Sequence, residues 1–166
     1  MAQMSPFDIF GIEPKFQIDK PKLEAKYVEI QKKVHPDRFA SATETEKRVA
    51  QQWATLINDA YQKLTDPIKR GMLLCAMRGC TIDEDSSGTI SEAFLMDQLE
   101  RREAIADAKG AGDEKELEAL KTAIEQEKAS LLKEIGVALD EKSDVPLAAE
   151  DLKKVMFLNR QLQDFE

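Results

Sequence analysis

Long apolar runs are missing from this chain. No stretch could span a bilayer, so no membrane segment is expected. The start, Met1-Ala2-Gln3-Met4-Ser5-Pro6, lacks a basic stretch followed by an apolar one. No signal peptide is therefore expected, and the expected location is the cytoplasm. Cysteine is scarce: Cys75 and Cys80 are the only two, which is too few for a disulfide framework. Five positions apart on a helix, they would point roughly 140° away from each other. No Cys-x-x-Cys pair and no cluster with histidine suggests metal or redox use, so both are expected to be small apolar residues in a reduced compartment, with no metal and no cofactor. Histidine occurs once, as His35. An acid–base enzyme built on His35 and Asp37 would need a pocket or a nucleophile, and none stands near them in sequence. Catalysis is therefore not expected. Basic charge is in deficit, with 24 Lys+Arg against 32 Asp+Glu and a net of −8. That balance argues against nucleic acid, which needs a concentrated basic surface. Strand-like alternation is nearly absent, and there are no repeats and no low-complexity tract.

What remains is charge and helical periodicity. Residues 1–80 carry 13 Lys+Arg and 10 Asp+Glu, a net of +3, while residues 81–166 carry 11 and 22, a net of −11; the two sum to −8. Such a split suggests two modules with differently charged partners. A short first helix is predicted from Ser5-Pro6, broken by Gly11 and Pro14. Asp19 caps a second, with Leu23, Tyr27, Ile30 and Val34 on a stripe about 60° wide. Pro36 forbids its continuation. A third helix spans about 43–64, with Val49, Trp53, Leu56, Ile57, Ala60 and Leu64 as its buried face. Asp66-Pro67 opens a fourth that ends near Gly79, with Met72, Leu73 and Leu74 as core candidates.

Residues 79–90 are polar, acidic and hold Ser and Gly, which marks a linker. Beyond it, Ser91 caps a helix to about Ala108, ended by Gly110 and Gly112. Asp113 caps the next, to about Leu139, with Leu117, Leu120, Ile124, Leu131, Leu132 and Ile135 apolar. Pro146 opens the last, holding Leu152, Val155, Met156, Phe157, Leu158 and Leu162. Three helices joined by short turns predict an antiparallel bundle. The fold class is thus all-α, in two parts.

His35-Pro36-Asp37 lies between two amphipathic helices of comparable length, which can pack as a hairpin and leave the tripeptide exposed at its tip. Proline stiffens that loop, so less entropy is lost when a partner grips it. Lys22, Lys26 and Lys33 fall within about 40° of one another beside the apolar stripe, a pattern that can steer an acidic partner. Taken alone, these residues also fit an ordinary turn and a solvated lysine face.

The motifs around the tripeptide carry a resemblance. His35-Pro36-Asp37 between these helices resembles the J-domain family. So does Ile57-Asn58-Asp59-Ala60-Tyr61-Gln62-Lys63-Leu64-Thr65-Asp66-Pro67 with Arg70 after it, and so does Phe7-Asp8-Ile9-Phe10-Gly11-Ile12. The likeness covers residues 5–78. It implies a domain over 1–78, an antiparallel helical hairpin with short flanking helices, that stimulates a DnaK-type chaperone ATPase and performs no chemistry itself. By this resemblance Asp37 pairs with a basic group near the partner's interdomain linker, and His35 and Pro36 contact its substrate-binding lobe. Lys22, Lys26, Lys32, Lys33 and Arg38 supply charge complementarity.

The second half narrows the likeness. On a helical wheel, Leu95, Met96, Leu99, Glu100, Glu103 and Asp107 share one side of the helix from Ser91, within about 140°, and Phe94, Ile105 and Ala108 the other. Periodicity alone would put Leu95 and Leu99 in the core, whereas the mixture of apolar and acidic residues suits a docking surface. Ala93-Phe94-Leu95-Met96-Asp97-Gln98-Leu99-Glu100-Arg101-Arg102-Glu103, Arg70 with Leu73-Leu74, and Lys154-Val155-Met156-Phe157-Leu158 resemble the HscB family, bacterial type, the J-proteins of iron–sulfur cluster assembly. The resemblance implies a C-terminal three-helix bundle over 91–166 that binds the scaffold IscU through Leu95, Met96, Leu99, Glu100, Glu103, Asp107 and Phe157, while the J-domain recruits HscA. The resulting expectation is a monomeric, cytoplasmic co-chaperone that delivers IscU to a DnaK/HscA-type ATPase. Two departures stand out: the chain after Phe157 is shorter than the resemblance implies, and Asp107 stands where a glutamate is expected. The cysteine-rich zinc segment of eukaryotic relatives has no counterpart here. A J-protein serving a general DnaK chaperone is the alternative, and its glycine/phenylalanine-rich linker and cysteine-repeat modules are missing. Gly and Pro breaks count against a plain coiled coil.

Overall fold

The computed structural model of the chain describes residues 4–82 and 90–166. Most of the expected linker, residues 83–89, lies outside the described residues. Among those described there are seven α-helices and no strand: α1 Pro6–Phe10, α2 Lys20–Val34, α3 Glu44–Thr65, α4 Pro67–Met77, α5 Glu92–Ala111, α6 Glu114–Asp140 and α7 Val145–Leu162. The chain forms two compact units, Met1–Leu74 and Cys75–Glu166, so the division falls inside α4. The all-α expectation holds, with a helical hairpin followed by a bundle.

The caps explain the helix starts. Ser5, Asp19, Thr43, Ser91, Asp113 and Asp144 each accept a hydrogen bond from a backbone N–H in the first turn, which satisfies donors that the helix leaves free. Gly11 ends α1 with φ +63°, a left-handed cap that favours glycine.

The first unit is the hairpin. Ala50, Ile57, Ala60 and Leu64 of α3 are buried, as are Leu23 of α2 and Phe7 and Phe10 of α1. Tyr27 stacks on Tyr61 with ring centroids 3.9 Å apart, and Phe10 tilts against both rings. Tyr27 also donates to the Asn58 amide oxygen, fastening α2 to α3. Arg70 is buried; its Nε donates to the Phe16 carbonyl at 2.7 Å and its Nη1 to the Leu64 carbonyl at 2.6 Å. Its guanidinium lies over the Phe16 ring.

One expectation fails here. Val49, Trp53 and Leu56 are not core: they are 46%, 44% and 45% exposed. Apolar periodicity identifies the side of a helix that could be covered but not how much cover exists. Cover falls on the flank of α3 that holds Ala50, Ile57 and Leu64, and Val49, Trp53 and Leu56 lie on the other.

The second unit is the three-helix bundle. Phe94, Ile105, Ile124 and Leu158 form one core cluster, with Leu117, Leu120, Leu131 and Phe157 partly buried against it. Two reversals make α7 run in the same direction as α5. Phe94 therefore meets Phe157, edge to face at 6.0 Å, and one turn on Gln98 meets Gln161. Gly110 lies within α5, contrary to the expected stop; Gly112, with φ +65°, is the actual terminator. A glycine inside a helix costs only about 1 kcal/mol and is tolerated.

Cys80 lies beyond the end of α4, not on it, and both thiols are free. Burial, then the nearby Cys80, pushes the Cys75 thiol up to about 11, against the lowering effect of Arg78. Cys75 is thus a protonated, apolar side chain.

Candidate functional site

The tip of the hairpin is a short 3-10 turn, Pro36–Phe39, entered from α2 through His35. Proline at its first position removes an N–H that would have no partner there anyway. The Arg38 N–H donates to the His35 carbonyl at 3.0 Å, and the Asp37 N–H donates to His35 Nδ1 at 3.2 Å. Nδ1 acting as an acceptor places the proton of the neutral ring on Nε2. The imidazole thus braces the turn with one nitrogen and keeps a donor for a partner on the other. The Asp37 carboxylate is 92% exposed. The Pro36 ring lies outside the described side chains.

The basic residues expected around the tip divide into separate groups. Lys32, His35 and Arg38 come together around a shallow pocket that also includes Val28 and Gln31; Val28 is exposed although apolar. Lys22 and Lys33 are exposed on another side of α2, and Lys33 faces Glu29 at 3.9 Å. Lys26 is held away from solvent duty: its Nζ donates to the Phe10 carbonyl at 3.0 Å and to the Gly11 carbonyl. It ties down the end of α1.

In the bundle, a groove of about 330 Å³ runs between α5 and α7. Leu95, Leu99 and Phe157 form its apolar wall, and Gln98, Arg102 and Gln161 also line it. Phe157 therefore does stand beside Leu95 and Leu99. Leu99 is 52% exposed and Leu95 half-buried, so neither is the core residue that periodicity would make it. Met96, at 56%, and Glu100, Glu103 and Asp107 are exposed on the adjoining side of α5, outside the groove lining. α7 continues past Phe157 to Leu162, followed by a 3-10 turn, Gln163–Phe165.

Behind the groove a polar chain crosses all three helices. Arg101 pairs with Glu127 of α6 at 2.8 Å and donates to Gln98 Oε1 at 2.9 Å. Gln161 of α7 donates to the Gln98 carbonyl at 3.2 Å. This chain sets the register of α5 against its neighbours. Gln98, Arg102 and Gln161 escaped the sequence reading. The only signal for the two glutamines was polar residues at core-side positions, and their bond spans more than sixty residues of chain; Arg102 gave none.

Asp151, buried on α7, has its carboxyl pushed up to about 7. Desolvation is the main cause, followed by the negative charge of Glu134, against a smaller lowering effect from Lys154. Among the described residues no group of three or more His, Cys, Asp or Glu side chains could hold a metal ion, and no helix is long and apolar enough to cross a membrane.

Residues 91–166 match the family profile described as "HSCB C-terminal oligomerisation domain". Over 156 residues the chain is 43% identical to a protein of Burkholderia mallei described as "Co-chaperone protein HscB homolog", a match covering 94% of this chain and 89% of that protein. Among solved structures, chaperone HscB from Vibrio cholerae matches with a TM-score of 0.85 at 31% identity, covering 96% of this chain and 94% of that one. Human co-chaperone protein HscB matches with a TM-score of 0.90 at 26% identity, covering 98% and 81%.

Proposed function

The chain belongs to the HscB family of co-chaperones, and on that premise we propose that it links a DnaK/HscA-type chaperone ATPase to the iron–sulfur scaffold IscU. The hairpin tip stimulates hydrolysis, and the bundle delivers the scaffold for cluster maturation. The protein itself breaks no bond. Residues 1–78 act as the J-domain and 91–166 as the scaffold-binding bundle, joined by 79–90, in the cytoplasm.

The observation that carries this reading is the tip. An almost fully exposed Asp37 carboxylate stands on a backbone fixed by Pro36 and braced by His35. A rigid anion of this kind loses little entropy when it meets a basic partner. It can favour one state of an ATPase over another only by binding that state better, and the pocket of Lys32, His35 and Arg38 adds complementary charge. The exposed Met96 and Leu99 support docking on the bundle, because apolar side chains bordered by acids are common in recognition surfaces. We take the working unit to be a monomer. The matching profile is named for oligomerisation, and sedimentation at assay concentration distinguishes the two.

The test is the steady-state ATPase rate of an HscA-type chaperone with this protein, with IscU, and with both. The rate with both is expected to exceed the combined separate effects. A rate with both no higher than with the co-chaperone alone overturns the adaptor reading.

A further inference from the structure

The groove between α5 and α7 carries chemistry that the acidic strip beside it lacks. Arg102 lines it together with Leu95, Leu99 and Phe157. Arg102 is exposed, and among the described residues it makes no ion pair and no hydrogen bond. Arg160 and Asp164 line the same groove; Arg160 is already engaged by a neighbour, and the Asp164 backbone carbonyl accepts from Lys109.

Two amides lie at the floor, Gln98 at 1% and Gln161 at 5% exposure. Their orientations follow from their bonds. Gln98 Oε1 accepts from Arg101, so a flipped amide would set donor against donor. That leaves Gln98 Nε2 a donor with no partner. Gln161 Nε2 is spent on the Gln98 carbonyl, which leaves Oε1 unpaired. Arg102 and Arg160 against Asp164 leave the lining net positive, and the free Arg102 guanidinium with a spare amide N–H outnumbers the one unpaired amide oxygen, so donors are in excess beside the apolar wall. A planar guanidinium fits a carboxylate with two parallel bonds.

We propose that this groove receives an aspartate or glutamate side chain of the partner, next to an aliphatic residue that packs on Leu95, Leu99 and Phe157, and that Arg102 is the residue specifying the carboxylate. The partner's docking surface is then bipolar. It offers an acid to the groove and basic groups to Glu100, Glu103 and Asp107. The proposal rests on the reading that the α5–α7 face docks the iron–sulfur scaffold, and it adds a charge preference opposite to the one the acidic strip implies.

The experiment is calorimetric titration of the full chain with apo IscU at low and high salt. Arg102→Glu is expected to weaken binding about tenfold at low salt and much less at high salt. Arg102→Lys, which keeps charge but loses the fork, should weaken it about threefold. An acid-to-lysine variant of the scaffold, at an acid beside an aliphatic docking residue, should restore binding to Arg102→Glu. Leu99→Ser, at an exposed position, is the control. If Leu99→Ser weakens binding and Arg102→Glu leaves it unchanged or tighter, the carboxylate preference is wrong and the docking reading stands. If Leu99→Ser has no effect, the docking reading falls and this proposal with it.

Discussion

In the hairpin the buried polar side chain is Arg70, whose guanidinium reaches the carbonyls of Phe16 and Leu64. Among the described residues of the bundle three polar side chains are buried, Gln98, Asp151 and Gln161, and each keeps one atom without a hydrogen-bond partner. The two regions therefore use interior polarity differently. A buried donor that finds its acceptors stabilises by about 1 kcal/mol or more per bond, whereas an orphaned group costs about 1–3 kcal/mol. The hairpin uses its polar residue as a clamp. The bundle tolerates costly ones, and two of them, Gln98 and Gln161, lie on the floor of its groove, where they fix which face of α5 is turned outward. Small losses of stability in exchange for register are a known use of buried polar groups, and we hold that to be the case here.

Arg70→Leu should cost the hairpin about 3 kcal/mol in urea unfolding, since two buried carbonyls lose their donor at once; a neutral result would remove the clamp. Asp151→Asn should do the reverse. The folded carboxyl holds its proton up to about pH 7, while the unfolded one releases it near 3.8. The folded state thus binds the extra proton across this window, and stability falls as pH rises through it. Asparagine removes that slope, so at pH 8 the variant should be more stable by about 2 kcal/mol, with little gain at pH 4. An unchanged pH profile would contradict the burial of a protonated acid. Gln98→Leu/Gln161→Leu replaces both amides with apolar groups of similar shape and should shift bundle stability by less than about 1 kcal/mol, toward gain. A large loss would make the amides clamps too. Smallest, Lys26→Met should cost about 0.5–1 kcal/mol through α1 and reduce chaperone stimulation less than Lys32→Met does.

Much of this was legible in the sequence, because caps, prolines and apolar spacing are local signals. Ser5, Asp19 and Asp113 marked helix starts, and Pro36 marked the tip. What could not be read was cover. Val49, Trp53 and Leu56 share a stripe with Ile57 and Leu64, yet nothing local says that cover falls on the flank holding Ala50, Ile57 and Leu64 and leaves the other flank open. Gly110 looked like a stop because a glycine's cost gives no hint of whether the helix absorbs it; the left-handed turn sits at Gly112. The α5 face was half legible. Its wheel grouped Leu95 and Leu99 with the acids, but Arg102 and the amides enter the groove only because α7 returns alongside α5 some sixty residues later. Lys26 is the converse: a wheel places it on a charged stripe, and its bonds to α1 take it out of that stripe.

We propose that tip and groove do separate jobs. Chaperone ATPase stimulation, with and without IscU, separates them when measured for Asp37→Asn and for Leu95→Ala/Met96→Ala/Leu99→Ala. Asp37→Asn should lose stimulation while binding scaffold as before. The triple variant should keep basal stimulation and lose only the scaffold-dependent increase. Stimulation that survives Asp37→Asn, or basal stimulation that disappears in a folded triple variant, would contradict it.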